Sequence, residues 1–221
     1  MPKVWIEAAL NGPWSRRFQP GIPDTVETIV AEGVACARAG ATIIHAHAYD
    51  GGGPQTHDWQ VYARIIEGIR NQVDVPVYPS YPAFMTDGDA ALADISARYT
   101  HIEALVERGL LEFALVDPGS VNFTLTNTTL AAKPAGTYLN PEDQVRYVLD
   151  FAARHGLHRI SRSTSPASCV PARCWPARPA PGLRSTVSCS ATRSRSAFRQ
   201  SPMRYRPIWR CWRRKRPARP G

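Results

Sequence analysis

The last 63 residues of this 221-residue sequence contain no aspartate and no glutamate. All 18 acidic residues precede residue 159, whereas 16 of the 27 lysines and arginines follow residue 158, together with four of the five cysteines. The net charge of +9 therefore comes from the end of the chain, because the part before it has more acids than bases. Two kinds of sequence meet here, and we predict a boundary between residues 1–158 and 159–221.

Long apolar runs are also absent. No run approaches the roughly 20 residues of a membrane-spanning helix. The first residues, MPKVWIEAAL, lack the order of charged, apolar and small residues that marks a signal peptide. We therefore expect a cytoplasmic protein with no membrane partner. Gly51 to Gly53 lack the Lys-Ser/Thr ending of a phosphate-binding loop, so we interpret them as a flexible loop.

The first 158 residues alternate short apolar runs with amphipathic stretches, and one such pair takes about 35 residues. The apolar runs predict strands at Val4–Leu10, Ala41–Ala48, Val75–Ser80 and Phe113–Val116. The amphipathic stretches predict helices at Val26–Ala37, Trp59–Ile69, Ala90–Arg108 and Pro141–Arg154, the last with Asn140 as N-cap. Long loops after the strands favour an α/β fold with parallel strands, either a doubly wound sheet or a TIM (β/α)8 barrel. A barrel needs about 250 residues, so residues 1–158 would supply only its first four βα units.

Two histidines stand one residue apart in IIHAHAYDGGG, residues 43–53. Side chains two residues apart in a strand share a face, so His45 and His47 would face the same way at the carboxyl end of the second predicted strand. In a barrel this end carries the active site. Two imidazoles there can bind one Zn²⁺ or a similar metal and leave a position for a carboxylate. Two core or loop histidines satisfied by hydrogen bonds would give the same pattern, and the residues alone leave both interpretations open.

Polar residues near the later strand ends are candidates for the same site. Ser80 ends the third predicted strand, where its hydroxyl would bind a substrate oxygen or stabilise a turn. Asp117 and Asn122 follow the fourth strand, although an aspartate before Pro-Gly is equally typical of a β-turn. We take Ser80 and Asp117 as candidate catalytic residues, and Ser80 and Asn122 as candidate substrate-binding residues.

The first predicted strand adds Glu7 and Asn11 as candidate substrate-binding residues. Glu7 lies inside the strand, and a carboxylate that points into a barrel needs a partner and would be a candidate acid or base. Asn11 stands at the end of the same strand. His57 and His101 fall on predicted helix or loop positions, and we expect both at the surface.

Four segments together resemble the β-keto acid cleavage enzymes: VWIEAALNG, AGATIIHAHAYDGGG, PVYPSY and FALVDPGSVNF. The resemblance covers most of residues 3–158, and its most specific element is the His-x-His of the second strand. It implies a TIM barrel with a catalytic zinc ion held by His45, His47 and a glutamate from a late strand. Ser80 matches the serine that holds the keto acid.

The same resemblance implies the reaction. An acyl unit passes between a β-keto acid and acetyl-CoA, which yields acetoacetate and a new acyl-CoA, as in lysine fermentation and other amino-acid catabolism. The intact family member is expected to be a homo-oligomer. Two departures alter the substrate pocket, because the best-studied type has a glutamate where this chain has Pro13-Trp14 and a threonine where it has Leu115. The particular keto acid therefore stays open, and another metal-dependent TIM-barrel lyase or aldolase is the alternative.

The part after His158 has no strand or helix periodicity, and its Arg, Pro, Ala, Ser, Cys and Trp content is typical of a GC-rich gene translated in a wrong frame. Cys, Trp and most Ser codons begin with T, and a T in the middle of a codon always encodes an apolar residue. Shifted by one base, with common GC-rich third bases, residues 159 onward back-translate to PHLAIYEPGFVRAGALLARA, an apolar run ended by glutamate. We therefore predict a frameshift, a disordered tail and an inactive chain as written.

A basic nucleic-acid-binding tail is the alternative of another class. Arg213 to Arg216 form a polybasic end, and Trp209 and Trp212 would stack on bases. Against this interpretation, the break falls inside a barrel that still lacks half of its strands. The four cysteines of the tail show no CxxC spacing, which argues against a zinc module there.

Overall fold

The computed structural model describes residues 5–13, 19–49, 51, 53–83, 94–122, 137–162 and 186–188. All of them belong to one compact unit, Met1–Ala191. Within this part the fold is mixed α/β. Among the described residues, no helix combines the length and the apolar composition needed to cross a membrane.

Each helix of the described part buries one face. The helices are α1 (Val26–Arg38), α2 (Trp59–Arg70), α3 (Ile95–Glu107) and α4 (Glu142–Arg154). In α3 the buried face includes Arg98 and His101. The side chains of Thr25, Asp58 and Asp94 accept a backbone N–H at the starts of α1, α2 and α3, which satisfies donors that a helix leaves unpaired at its start.

The strands are short and are named in chain order. They are β1 (Glu7–Ala9), β2 (Ile43–Ala46), β3 (Ala48–Tyr49), β4 (Gln55–Thr56), β5 (Val77–Pro79), β6 (Phe113–Val116), β7 (Val121–Asn122), β8 (Thr137–Tyr138), β9 (His158–Arg162) and β10 (Thr186–Ser188). β1, β2 and β5 form one parallel sheet in that order, and β10, β9 and β6 form another. β3–β4 and β7–β8 are antiparallel pairs.

The core lies where the parallel strands meet the helices. Ile44 of β2, Ile65 and Ile69 of α2 and Leu105 of α3 have no exposed surface. The predicted alternation of strand and helix with parallel pairing is confirmed. The described strands form two parallel sheets and no closed barrel. β9 spans the predicted boundary at residue 158, and the residues from 163 to 185 and from 189 onward lie outside the described part.

The predicted N-cap of the last helix is wrong by one residue. Pro141 occupies the cap position of α4 and supplies no side-chain hydrogen bond. Asn140 is held by the segment after β6, because its backbone N–H donates to the Ser120 hydroxyl (2.9 Å) and its side-chain amide donates to the Gly119 carbonyl (3.3 Å). The tertiary partner of Asn140 thus replaces the local one.

Candidate functional site

The two strand-two histidines lie side by side in the interior. His45 and His47 have 1% and 9% of their surface exposed, and their ring centroids are 5.1 Å apart in an edge-to-face arrangement. β2 ends at Ala46 and β3 begins at Ala48, so His47 occupies the link between the two strands. The predicted shared face at the end of a parallel strand is therefore present.

Neighbouring strands place more side chains on this histidine face. The register aligns His45 with Ala9 of β1 and with Tyr78 of β5, and residues aligned in parallel strands point to the same face. The Tyr78 ring lies 4.6 Å from that of His45. Glu7 is two residues before Ala9, so it shares this face one layer below His45.

Ser80 continues the histidine face beyond the end of β5. It lies two residues after Tyr78, is 6% exposed, and its N–H donates to the Ala46 carbonyl (3.2 Å), which extends the pairing with β2. Its hydroxyl donates to the Tyr81 carbonyl across 3.4 Å, a long contact that leaves it available to a ligand. The strand ends therefore bring Ser80 close to His47.

The donor set fits a borderline metal such as Zn²⁺, because both candidate ligands are buried imidazoles on one face. A protein zinc site needs at least one further ligand from the chain. Within the described part, no group of three or more His, Cys, Asp or Glu side chains is placed to hold a metal ion. Among the described residues, the histidine pair is therefore an incomplete metal site.

Asn11 lies against the backbone of His47. The His47 N–H donates to Oδ1 of Asn11 (2.8 Å), and Nδ2 of Asn11 donates to the His47 carbonyl (3.0 Å). The same Nδ2 donates to the Pro23 carbonyl (3.0 Å). Asn11 therefore contacts the backbone of a candidate metal ligand, and its amide is turned toward the protein backbone.

Asp117 lies in a cluster with two tyrosines at the end of β6. The Tyr138 hydroxyl donates to its Oδ2 atom (2.9 Å). Burial, and then the Asp117 carboxylate, raise the pKa of both Tyr81 and Tyr138 above the usual value, so both phenols keep their protons. Asn122 is exposed on β7 and accepts a hydrogen bond from the Thr137 hydroxyl (2.7 Å). Asp117 and Asn122 thus each accept a hydrogen bond from a β8 residue, Tyr138 and Thr137 respectively.

The expectation that His57 and His101 are surface residues is wrong. His101 is 5% exposed and His57 is half-buried, with ring centroids 5.3 Å apart. Nε2 of His101 donates to the Ser80 carbonyl (2.7 Å), and the ring stacks on Tyr62. Burial lowers the pKa of His101 to about 4. Burial, followed by the neighbouring His101 and His47, lowers that of His57 to about 3.

Sequence reasoning also missed Arg98, which has no exposed surface. Its Nε donates to the Pro82 carbonyl (2.8 Å) and its Nη1 to Oε1 of Gln144 (2.6 Å), while its guanidinium lies 4.9 Å from the centre of the Tyr81 ring. Arg98 thus ties the segment after β5 to α4. The helical position of an arginine indicates a solvated side chain, and nothing in its local sequence points to these partners.

Comparison with known proteins identifies relatives of this chain. The sequence model of the beta-keto acid cleavage enzyme family matches residues 3–160. A 3-keto-5-aminohexanoate cleavage enzyme from Fusobacterium nucleatum subsp. nucleatum is 31% identical over 169 residues, which cover 70% of this chain. The chain spans 58% of the length of that relative.

Solved structures give a likeness of fold. A ternary complex of ObcA with a C4-CoA adduct and oxalate superimposes with a TM-score of 0.54 at 22% identity. The superposition covers 70% of this chain and 34% of that chain. The described α/β arrangement therefore matches about a third of a larger fold.

Proposed function

The chain belongs to the beta-keto acid cleavage enzymes, and from this membership we propose that it derives from an acyl-transferring enzyme of that family. The enzyme passes an acyl unit between a β-keto acid and acetyl-CoA, giving acetoacetate and a new acyl-CoA. Residues 1–158 supply the first four βα units of a TIM barrel, and His45 and His47 bind a zinc ion. The observation that carries this proposal is the pair of buried imidazoles, 5.1 Å apart on one face at the end of a parallel strand.

The chemistry of the proposed reaction requires charge stabilisation at the keto oxygen. A bound zinc ion supplies it as a Lewis acid when the carbon–carbon bond is made or broken. Ser80 lies on the histidine face and orients the keto acid through its hydroxyl. Burial of the two histidines and Ser80 excludes water from this place, which strengthens each electrostatic contact made there.

The remaining candidates receive roles that follow from their position. Glu7 shares the face of His45, one layer deeper, and would contact substrate from below. Asp117 holds Tyr138 by a hydrogen bond and would move a proton at the end of β6. Asn122 is exposed on β7, where a substrate that extends beyond the strand ends would reach it.

The third zinc ligand is assigned to the frame-restored sequence. The acid-free end of the chain cannot supply a glutamate, whereas the restored frame contains acidic residues after an apolar run. The family match ends at residue 160, two residues beyond the change in composition, which supports a break at this place. We expect the 221-residue chain to bind zinc weakly through two histidines and to have no cleavage activity.

The zinc site is tested by elemental analysis of the frame-restored protein and its variants. The restored protein should bind about one zinc ion per chain. His45→Ala or His47→Ala should lower the zinc content at least about tenfold and abolish turnover. His155→Ala is the matched control, because His155 is exposed after α4 and lies off this site. Unchanged zinc content in both site variants would rule out the proposed metal site.

The co-substrate is tested separately by following the β-keto acid. The frame-restored enzyme should consume the keto acid only when acetyl-CoA is present, and acetoacetate should appear in equal amount. Consumption without any thioester would refute acyl transfer and point to a metal-dependent lyase or aldolase. A panel of keto acids with different side chains would then identify the substrate, which Pro13 and Leu115 leave open.

A further inference from the structure

The side chain of Asn11 continues the hydrogen bonding between β1 and β2 beyond the last backbone pair. The backbone ladder joins Ala9 to His45, and its last described bond runs from the Leu10 N–H to the His45 carbonyl (3.0 Å). Beyond the His45 carbonyl, the next backbone groups on the β1 side are the N–H and the carbonyl of His47, just past the end of β2. The side-chain amide of Asn11 pairs with both of them, across 2.8 Å and 3.0 Å. One amide therefore takes the place of the backbone groups that a longer β1 would have offered.

The hydrogen bonds fix the orientation of this amide. An asparagine has two N–H donors on one atom and an acceptor oxygen on the other. Nδ2 faces two carbonyl oxygens, those of His47 and Pro23, whereas Oδ1 faces the N–H of His47. The opposite orientation would place oxygen against two carbonyls and amine against an N–H. Only one orientation satisfies all three contacts.

The Pro23 contact joins the start of α1 to the same place. Pro23 lies two residues before Thr25, the N-cap of α1. Asn11 thus links the end of β1, the backbone of His47 and the approach to α1. Both amide donors are used on the chain's own carbonyls, so the side chain has no N–H left to offer a substrate.

We propose that Asn11 is a positioning residue that aims the His47 imidazole by holding both hydrogen-bonding groups of the His47 backbone. His47 lies in the link between β2 and β3, where the ladder with β1 has ended. Fixing its N–H and carbonyl fixes the peptide planes on both sides of Cα, and hence the direction of the Cα–Cβ bond. This inference rests on the proposed function, in which His45 and His47 bind one metal ion. Removal of a group that orients a metal-binding residue without touching the metal lowers metal affinity by roughly 10- to 100-fold.

The test uses the full 221-residue chain with two variants. Asn11→Leu keeps the size of the side chain and removes all three hydrogen bonds, and Asn11→Ala removes them without any added bulk. Asn71→Ala is the matched control, because Asn71 is an exposed asparagine at the end of α2. Each protein is titrated with Co²⁺, whose visible spectrum reports the ligand geometry. Amide hydrogen exchange is measured by NMR without metal.

The expected result is a change confined to His47. In both Asn11 variants the His47 N–H should exchange at least about tenfold faster, while the Ile44 N–H, which donates to the Pro76 carbonyl, stays protected. The apparent Co²⁺ dissociation constant should rise by roughly 10-fold or more, with an altered visible band. The control should match the parent chain in both measurements.

Contrary outcomes separate this inference from the proposed function. If His45→Ala abolishes Co²⁺ binding while both Asn11 variants keep the affinity, the spectrum and the His47 exchange rate of the parent, the positioning role is refuted alone. If the parent's Co²⁺ binding is unaffected by His45→Ala, the metal site is refuted, and the exchange data still decide whether Asn11 orders His47. Equal acceleration of exchange at His47 and Ile44 would show general loosening and would also overturn the inference.

Discussion

Four of the six histidines of this chain form two pairs, and the surroundings of their rings differ. His45 and His47 face each other at the end of β2. His101 and His57 lie behind Ser80 and are held neutral, with pKa values lowered to about 4 and about 3. For His57 the hydrogen bond agrees with neutrality, because its Nε2 accepts from the Gln55 amide (2.8 Å). For His101 the bond to the Ser80 carbonyl raises the pKa, but burial lowers it by more.

The buried His101 makes stability depend on pH. Its folded pKa of about 4 lies below the ordinary value of 6.5, so the unfolded chain takes up the proton first as the pH falls. Its contribution is therefore complete above pH 6.5 and is lost between pH 6.5 and about 4. The free energy of unfolding should fall in this window by up to about 1.4 kcal/mol per pH unit for this group.

The measurement is urea unfolding at several pH values for the parent chain and for His101→Gln. Glutamine has an amide N–H that can still donate to the Ser80 carbonyl, but it does not titrate. The variant should show a shallower loss of stability between pH 6.5 and 4. His155→Gln, at an exposed position, should keep the parent slope. An unchanged slope in His101→Gln would contradict the assigned burial effect.

The two pairs also show what the sequence can reveal at this scale. The period of two residues in a strand predicts that His45 and His47 share a face, and no tertiary information is needed. His101 is different, because its burial depends on the Ser80 carbonyl, which lies 21 residues earlier in the chain. Asn11 is similar, since its partner His47 lies 36 residues later. Such partners are not encoded in any local pattern.

Helices α1 and α2 approach each other closely at two glycines, Gly33 and Gly68. A Cβ atom built on Gly33 of α1 would lie 2.5 Å from Cδ1 of Ile69, and one built on Gly68 of α2 would lie 2.8 Å from Cγ2 of Val30. Both distances are shorter than a van der Waals contact between two carbon atoms. Each glycine therefore leaves room for a side chain of the other helix to pack directly against its backbone. This close approach also explains why two glycines lie inside helices, where they lower helix propensity.

The expected effect of Gly33→Ala is destabilisation. Alanine favours the helix by about 1 kcal/mol over glycine, whereas overpacking a fixed core costs roughly 1–3 kcal/mol. Ile69 has no exposed surface and little room to move, so we expect the clash to prevail and the urea midpoint to fall. The double variant Gly33→Ala with Ile69→Val removes Cδ1 and should recover part of the loss. Greater stability of Gly33→Ala alone would show that the helices separate at little cost.

Element types were predictable from periodicity, and element ends were less so. Phe113–Val116 was predicted with the bounds that β6 has, because an apolar run between polar segments defines both ends. The strand predicted at Ala41–Ala48 is divided at His47, where Asn11 replaces the pairing with β1. The cap of α4 moved from Asn140 to Pro141, because Ser120 and Gly119 bind Asn140. Long-range side-chain contacts set these ends.

Along the chain as a whole, the residues of the candidate site all precede the change in composition at residue 158. The acids lie on one side, together with both histidine pairs, Ser80 and Asp117, and the family match ends at residue 160. Trp5 and Ile6, just before β1, are each 56% exposed, which is unusual for large apolar residues beside a strand. In a complete barrel the last strand pairs with the first, and we expect that neighbour to cover this edge.

Restoring the reading frame is therefore predicted to convert an inactive chain into an enzyme. The gene should first be sequenced across the codons for His155 to Arg162, where a missing base is expected. The 221-residue chain and the restored chain are then compared for acetoacetate formation from β-keto acids and acetyl-CoA. The restored chain should turn over and lose activity in His45→Ala. The 221-residue chain should be inactive, because the zinc site needs a further ligand and the glutamate that the family supplies has no counterpart in the last 63 residues. Turnover by the 221-residue chain would refute the frameshift. Salt-dependent DNA binding by this chain that disappears when residues 159–221 are removed would instead assign the basic tail a function of its own.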